Sequence, residues 1–138
     1  MGDWYTIGAF LGAGLGLGVI LAGLLAASRR GLVIALVLAV ALTVPFSLAF
    51  GSWAVPVADA IGAVVGVVSG SIVVQGALRR GGTRLGVAGF MLGVGLLIML
   101  ASAIPLVGYV LVVATPLLAG RVRRQQPTRF AGLRTLDK

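Results

Sequence analysis

The stretch GAGLGLG, residues 12–18, has glycine at every second position, a composition typical of loops whose backbone amides bind phosphate groups. A dinucleotide-binding fingerprint requires glycines at offsets zero, two and five, after a strand and before a helix. No register of this stretch satisfies that rule: a start at Gly12, for example, places Leu17 at offset five. No strand precedes it either, so the pattern argues against a nucleotide site.

Glycines also recur four residues apart, which on a helix places them on one face. In transmembrane helices such flat faces allow close backbone approach and van der Waals contact, the arrangement called a glycine zipper. We predict helix-packing roles for Gly8, Gly12, Gly16, Gly62, Gly66, Gly70, Gly89 and Gly93. Two interpretations remain open: the faces pack helix 1 against helix 3 within one chain, or they join subunits or line a narrow conduit.

Two polar residues are candidates for an ion-binding or polar site. Asp59 follows Pro56 at the start of the third apolar segment, and Gln75 lies near the other end of that segment. A carboxylate inside a membrane is costly and often functional. At a helix start, however, it also stabilises the helix as a cap and through the helix dipole. We favour the capping role for Asp59 and keep ion binding as the alternative.

Other site chemistry is restricted by the residue types present. The chain has no cysteine, no histidine and no glutamate, which removes disulfides, thiol nucleophiles, Cys/His metal sites and histidine acid–base chemistry. No serine is paired with a base at a convincing spacing. We therefore predict a protein that is not an enzyme, with no catalytic residues, no metal and no cofactor.

The composition indicates an all-α integral membrane protein. Hydrophobic residues make up 59% of the 138 and charged residues 10%, and the mean hydropathy is +1.15. Soluble domains have about 25% charged residues. A soluble chain of this length could not remove so much apolar surface from water.

Basic residues fix the predicted orientation. All eleven lie in three places: Arg29 and Arg30; Arg79 to Arg84; and residues 121–138. Such clusters beside apolar segments mark cytoplasmic loops, whereas Trp and Tyr favour the interfaces. We therefore predict an inner (cytoplasmic) membrane protein with its N-terminus outside and its C-terminus inside.

Apolar segments at 4–27, 31–50 and 57–78 predict three transmembrane helices. The next apolar run, 85–120, would form a helix about 54 Å long, against a hydrocarbon core of about 30 Å. A turn at 104–108 divides it into two crossings, which makes five helices. The fifth, 107–120, is short, and a re-entrant hairpin is its alternative.

A shift of 54 residues aligns Ile7-Gly8-Ala9 with Ile61-Gly62-Ala63 and preserves the glycine spacing. We interpret residues 5–50 and 57–103 as parallel copies of one helical hairpin, within a membrane domain spanning 1–120. Chance similarity between glycine-rich membrane helices is the alternative.

The basic tail, residues 121–138, is the most distinctive segment. We predict that Arg121, Arg123, Arg124, Arg129, Phe130 and Arg134 bind anionic headgroups or an acidic partner. A role limited to fixing topology is equally open. Nucleic acid is disfavoured because Phe130 is the tail's only aromatic residue.

Two functions from different classes remain. The first is a structural or accessory subunit of a homo- or hetero-oligomer, held by its glycine faces and basic tail. The second is a small homo-oligomeric channel or carrier, with Asp59 and Gln75 near its two mouths. The shortage of polar groups within the membrane favours the first.

Overall fold

The computed structural model describes residues 3–50 and 52–124. These residues form five α-helices and no strand: α1 (Asp3–Leu25), α2 (Arg29–Leu48), α3 (Ala54–Arg79), α4 (Arg84–Ala101) and α5 (Pro105–Arg124). All five are long and apolar enough to cross a membrane. The prediction of an all-helical multi-pass membrane protein is confirmed.

A side-chain hydroxyl caps the start of each of the two helices that begin at the basic residues, α2 and α4. The Ser28 hydroxyl accepts a hydrogen bond from the Gly31 amide at 3.1 Å, and the Thr83 hydroxyl accepts one from Gly86 at 3.2 Å. Each satisfies a backbone N–H that the first turn of a helix leaves unpaired. Gly81 has a φ of +86°, a conformation that glycine adopts without steric cost.

The fifth helix is longer than predicted. It has 20 residues, Pro105–Arg124, and is therefore about 30 Å long, enough for a full crossing rather than a short helix or a re-entrant hairpin. The apolar run ends at Gly120, but helical hydrogen bonding does not depend on apolar side chains. The helix therefore continues through Arg121, Arg123 and Arg124.

Helix α1 lies at the centre of the bundle and contacts all four other helices, α3 most extensively. Leu11 of α1 lies against Gly62, and further along both helices Ala22 lies against Gly70. Because these contacts advance in the same direction along both helices, α1 and α3 are parallel. Helix α4 runs in the opposite direction beside them.

The alternating glycines of residues 12–18 serve two faces of α1. Positions two residues apart on a helix are rotated by about 200° and so lie on nearly opposite faces. Gly14 and Gly18 therefore face α3, while Gly12 and Gly16 face α4 and α5. At each of the four, an added Cβ would collide with atoms of the neighbouring helix. The backbones are this close because these side chains are absent.

The two ends of the bundle differ in chemistry. At one, the aromatic end, the Tyr5 hydroxyl donates to the Ala103 carbonyl at 3.1 Å and the Tyr109 hydroxyl donates to the Trp4 carbonyl at 3.0 Å. The first bond joins the start of α1 to the α4–α5 turn, and the second joins it to α5. The eight described arginines all lie at the opposite end, the basic end: Arg29, Arg30, Arg79, Arg80, Arg84, Arg121, Arg123 and Arg124.

Glycines paired by the 54-residue repeat have different surroundings. Gly12 lies against Ser102 and Gly108, whereas Gly66 lies against Leu15 and Gly18. These contacts do not decide between duplication and chance, and the duplication stays a prediction.

Replacing Gly66 with alanine should destabilise the fold, because the new Cβ would collide with the backbone carbonyl of Leu15. Overpacking of this kind costs about 1–3 kcal/mol. Gly93→Ala is the matched control: its Cβ would meet no atom within 4 Å, so the better helix propensity of alanine should leave stability unchanged or raise it by up to about 1 kcal/mol. Unfolding by denaturing detergent measures both, and equal effects of the two changes would contradict the close α1–α3 contact.

Candidate functional site

The carboxyl group of Asp59 is buried near the aromatic end, with only 3% of the residue exposed. The predicted capping role is wrong: α3 begins at Ala54, its N-cap is Trp53, and its first turn contains no acidic residue. Pro56 lies within the first turn, where its missing N–H costs no hydrogen bond. The helix therefore starts earlier than the apolar pattern indicated, and Asp59 lies beyond its first turn.

Gly14 and Ser47 form the surroundings of this carboxyl group. Asp59 Oδ1 lies 2.5 Å from the point where a Cβ on Gly14 would be, so the absent side chain provides the space. The Ser47 hydroxyl is the hydrogen-bonding neighbour of the Asp59 side chain and also lies 2.8 Å from the Thr43 carbonyl. The sequence did not single out either neighbour.

This pairing limits the chemistry of the cluster. A carboxyl group beside a hydroxyl can hold a proton or exchange a hydrogen bond, but Ca²⁺ takes six to eight oxygen ligands. Within residues 3–50 and 52–124, no three His, Cys, Asp or Glu residues come together. Asp59 and Ser47 are therefore best described as a buried polar pair.

At the basic end, Gln75 lies in a different kind of site. A cavity of about 170 Å³ between α3 and α5 is lined by Ile72, Gln75, Gly76, Arg79 and Arg123. An adjoining space of about 410 Å³ is lined by Gln75, Arg79, Arg29 and the α1–α2 turn. Gln75 and Arg79 line both, so an amide and guanidinium groups converge there.

Asp59 and Gln75 do not form one site. They lie sixteen positions apart on α3, about 24 Å along the helix. The hydroxyl of Ser71, between them, bonds its own helix at the Val68 carbonyl at 2.7 Å, and the buried Ser69 Oγ has no hydrogen-bond partner among the described residues. Gly18 packs tightly on α3 in the same region.

The predicted packing glycines divide into two groups. Gly8, Gly12, Gly16, Gly62, Gly66 and Gly70 lie at contacts between helices. The interpretation that this face of α1 packs against α3 is wrong for Gly12 and Gly16, which face α4 and α5, and α1 meets α3 through Gly14 and Gly18 instead. Gly95 and Gly108, which the four-residue spacing missed, also lie at contacts with α1.

Gly89 and Gly93 have no such contact. An added Cβ at either would meet no atom within 4 Å, so these two glycines do not pack the described helices together. The inward glycine of α4 is Gly95 instead, whose Cβ would collide with Ile20. The four-residue spacing places Gly89 and Gly93 on one face of α4, and in the structure that face is turned outward.

The tail residues are placed only in part. Arg121, Arg123 and Arg124 form the last turn of α5 at the basic end. The other three predicted binding residues, Arg129, Phe130 and Arg134, lie outside the described residues.

Replacing Asp59 with asparagine should preserve stability to within about 1 kcal/mol, because the amide has the same shape and hydrogen-bonds to Ser47. Asp59→Leu, which is larger and lacks a polar group, should destabilise by about 1–3 kcal/mol against Gly14. Detergent unfolding of the two variants checks this. A loss above about 2 kcal/mol in Asp59→Asn would mean that the negative charge itself is required, as for a bound cation.

No protein-family model, curated protein or solved structure matches this chain. Its functional assignment therefore depends on the packing and the polar groups described above.

Proposed function

We propose that this chain is a non-enzymatic structural or accessory subunit of a membrane complex, held to a partner by an outward glycine face on α4. The proposal includes the inner (cytoplasmic) membrane, with the aromatic end outside and the basic end inside. The observation that carries it is the division of glycines on α4: Gly95 is buried against α1, whereas Gly89 and Gly93 are uncovered.

The outward face of α4 has the shape that a partner helix would use. Phe90 and Leu97 lie three residues before and four after Gly93, and both are about two-thirds exposed, at 65% and 66%. Large side chains around a flat glycine surface form a groove into which a second backbone can approach. Glycine inside a helix costs about 1 kcal/mol relative to alanine, and a helix docked at Gly89 and Gly93 would offset that cost through van der Waals contact.

A small channel or carrier is the second candidate, favoured by the buried Asp59. Ionisable side chains inside a membrane often mark proton or ion pathways. In this alternative, several copies associate and Asp59, beside Ser47, binds the transported proton or cation. Loss of flux in Asp59→Asn, with the oligomer intact, would support it.

Gly93→Leu should abolish or reduce at least tenfold the partner-bound fraction, because the new side chain fills the groove on α4. The monomer should remain folded, since nothing lies within 4 Å of the added Cβ. Gly120→Leu is the matched control, at a glycine of α5 where an added Cβ would likewise meet no atom within 4 Å. Native mass spectrometry of protein extracted gently from its own membrane measures the bound fraction.

Each outcome of this experiment has a defined meaning. A second polypeptide lost only in Gly93→Leu supports the accessory subunit and gives the partner's mass. A homo-oligomer lost in the same way supports association of copies and directs attention to the channel. A monomer in the wild type, or equal losses in both variants, would overturn the proposed face.

The proposed orientation can be tested with single cysteines in this cysteine-free chain. Ile104→Cys, in the exposed α4–α5 turn, should react with a membrane-impermeant reagent from outside, because the aromatic end is outside in the proposal. Arg80→Cys, at the exposed basic end, should react only after the membrane is opened. The reverse pattern would refute the orientation. Gly108 is unsuitable for this test because a side chain there would collide with Gly8.

A further inference from the structure

The basic end carries charge that no carboxylate of the described residues neutralises. All eight described arginines lie there, whereas the two described acidic residues, Asp3 and Asp59, lie in the half of the bundle near the aromatic end. Asp59 and Arg79 lie twenty positions apart on α3, about 30 Å, and the 23 residues of α1 separate Asp3 from the basic end. Anions that compensate these arginines must therefore come from outside the described part of the chain.

The cavity between α3 and α5 concentrates this charge. Arg79 lies in the last turn of α3 and Arg123 in the last turn of α5, and both line the same 170 Å³ cavity as the half-buried Gln75. Each helix C-terminus contributes about half a negative charge. The two positive charges of the guanidinium groups exceed the single negative charge that the two helix C-termini contribute together, so the cavity is net positive.

Gln75 makes the cavity more specific than a charged surface. Its amide can donate hydrogen bonds one turn deeper in the membrane than Arg79. Guanidinium groups bind phosphate oxygens in bidentate geometry. Donors on two helices can thus enclose one phosphate group between them.

The size of the cavity favours a small anion. Sites for drug-sized molecules occupy about 300–1,000 Å³, whereas this cavity has about 170 Å³. A single phosphate group with a small substituent fits it better than a nucleotide does. The adjoining 410 Å³ space, which shares Gln75 and Arg79, reaches Arg29 and leaves room for the substituent.

We infer that Gln75, Arg79 and Arg123 form a binding site for the phosphate of a small anionic phosphate ester, such as the headgroup of an anionic phospholipid. This site is separate from the outward face of α4 and does not depend on the proposed partner.

Native mass spectrometry of the delipidated protein tests the site, with phosphatidylglycerol, phosphatidylcholine and inorganic phosphate as separate probes. We expect one phosphatidylglycerol molecule bound per chain in preference to phosphatidylcholine. Arg79→Gln and Arg123→Gln should each weaken binding about tenfold or more, since each loses hydrogen bonds to a charged group. Gln75→Leu should weaken it several-fold without any change of charge.

Arg80→Gln is the matched control, because Arg80 neighbours Arg79, carries the same charge and does not line the cavity. Diffuse surface attraction contributes about fivefold per arginine, and it predicts equal losses for Arg79→Gln and Arg80→Gln with no loss for Gln75→Leu. That result, with the variants folded by circular dichroism, would overturn the inference.

The probes also distinguish the source of the phosphate. Phosphatidylglycerol that millimolar inorganic phosphate does not displace identifies a lipid headgroup. Inorganic phosphate that binds alone, and is lost in Arg79→Gln, identifies a soluble phosphate anion at the same site. If neither phosphatidylglycerol nor inorganic phosphate binds, the site is refuted.

Discussion

The structure depends on how closely four helices can approach α1. In lipid, removing apolar side chains from their surroundings gains little, because the solvent is as apolar as the side chains. Association must come from van der Waals contact over short distances, and that contact is strongest where backbones meet. Helix α1 has no side chains on parts of two faces, at Gly12, Gly14, Gly16 and Gly18. Other helices can therefore approach its backbone closely, and it can serve as the central helix.

This constraint also determines where a polar group can be buried. Asp59 lies in the α1–α3 contact only because Gly14 leaves the volume that its carboxyl group occupies. Ser47 of α2 completes the surroundings. A feature that resembles a functional carboxylate is thus tied to the same packing that holds α1 and α3 together, and stability and function must be measured separately for any change there.

Two surfaces have no partner within the described part of the chain after the other helices have packed around α1. One is the outward face of α4, where glycines occur without a neighbour. The other is the basic end, where arginines from separate helices converge on Gln75 without a carboxylate among the described residues. The face of α4 has the flat shape against which a helix can pack. The basic end has the positive charge and the hydrogen-bond donors that bind an anion.

The sequence by itself determined the class of protein, the number of helices and the segregation of charge, since apolar length and the positions of arginines are local properties of the chain. It misplaced Asp59 as a helix cap, and of its two interpretations of the glycine face on α1, the one that named α3 as the neighbour is wrong for Gly12 and Gly16. The physical reason is that α1 and α3 are apolar on all sides, so no amphipathic period records how each helix is rotated about its axis. Only tertiary packing, through contacts between residues far apart in the chain, decided which glycines face inward and what surrounds each polar group.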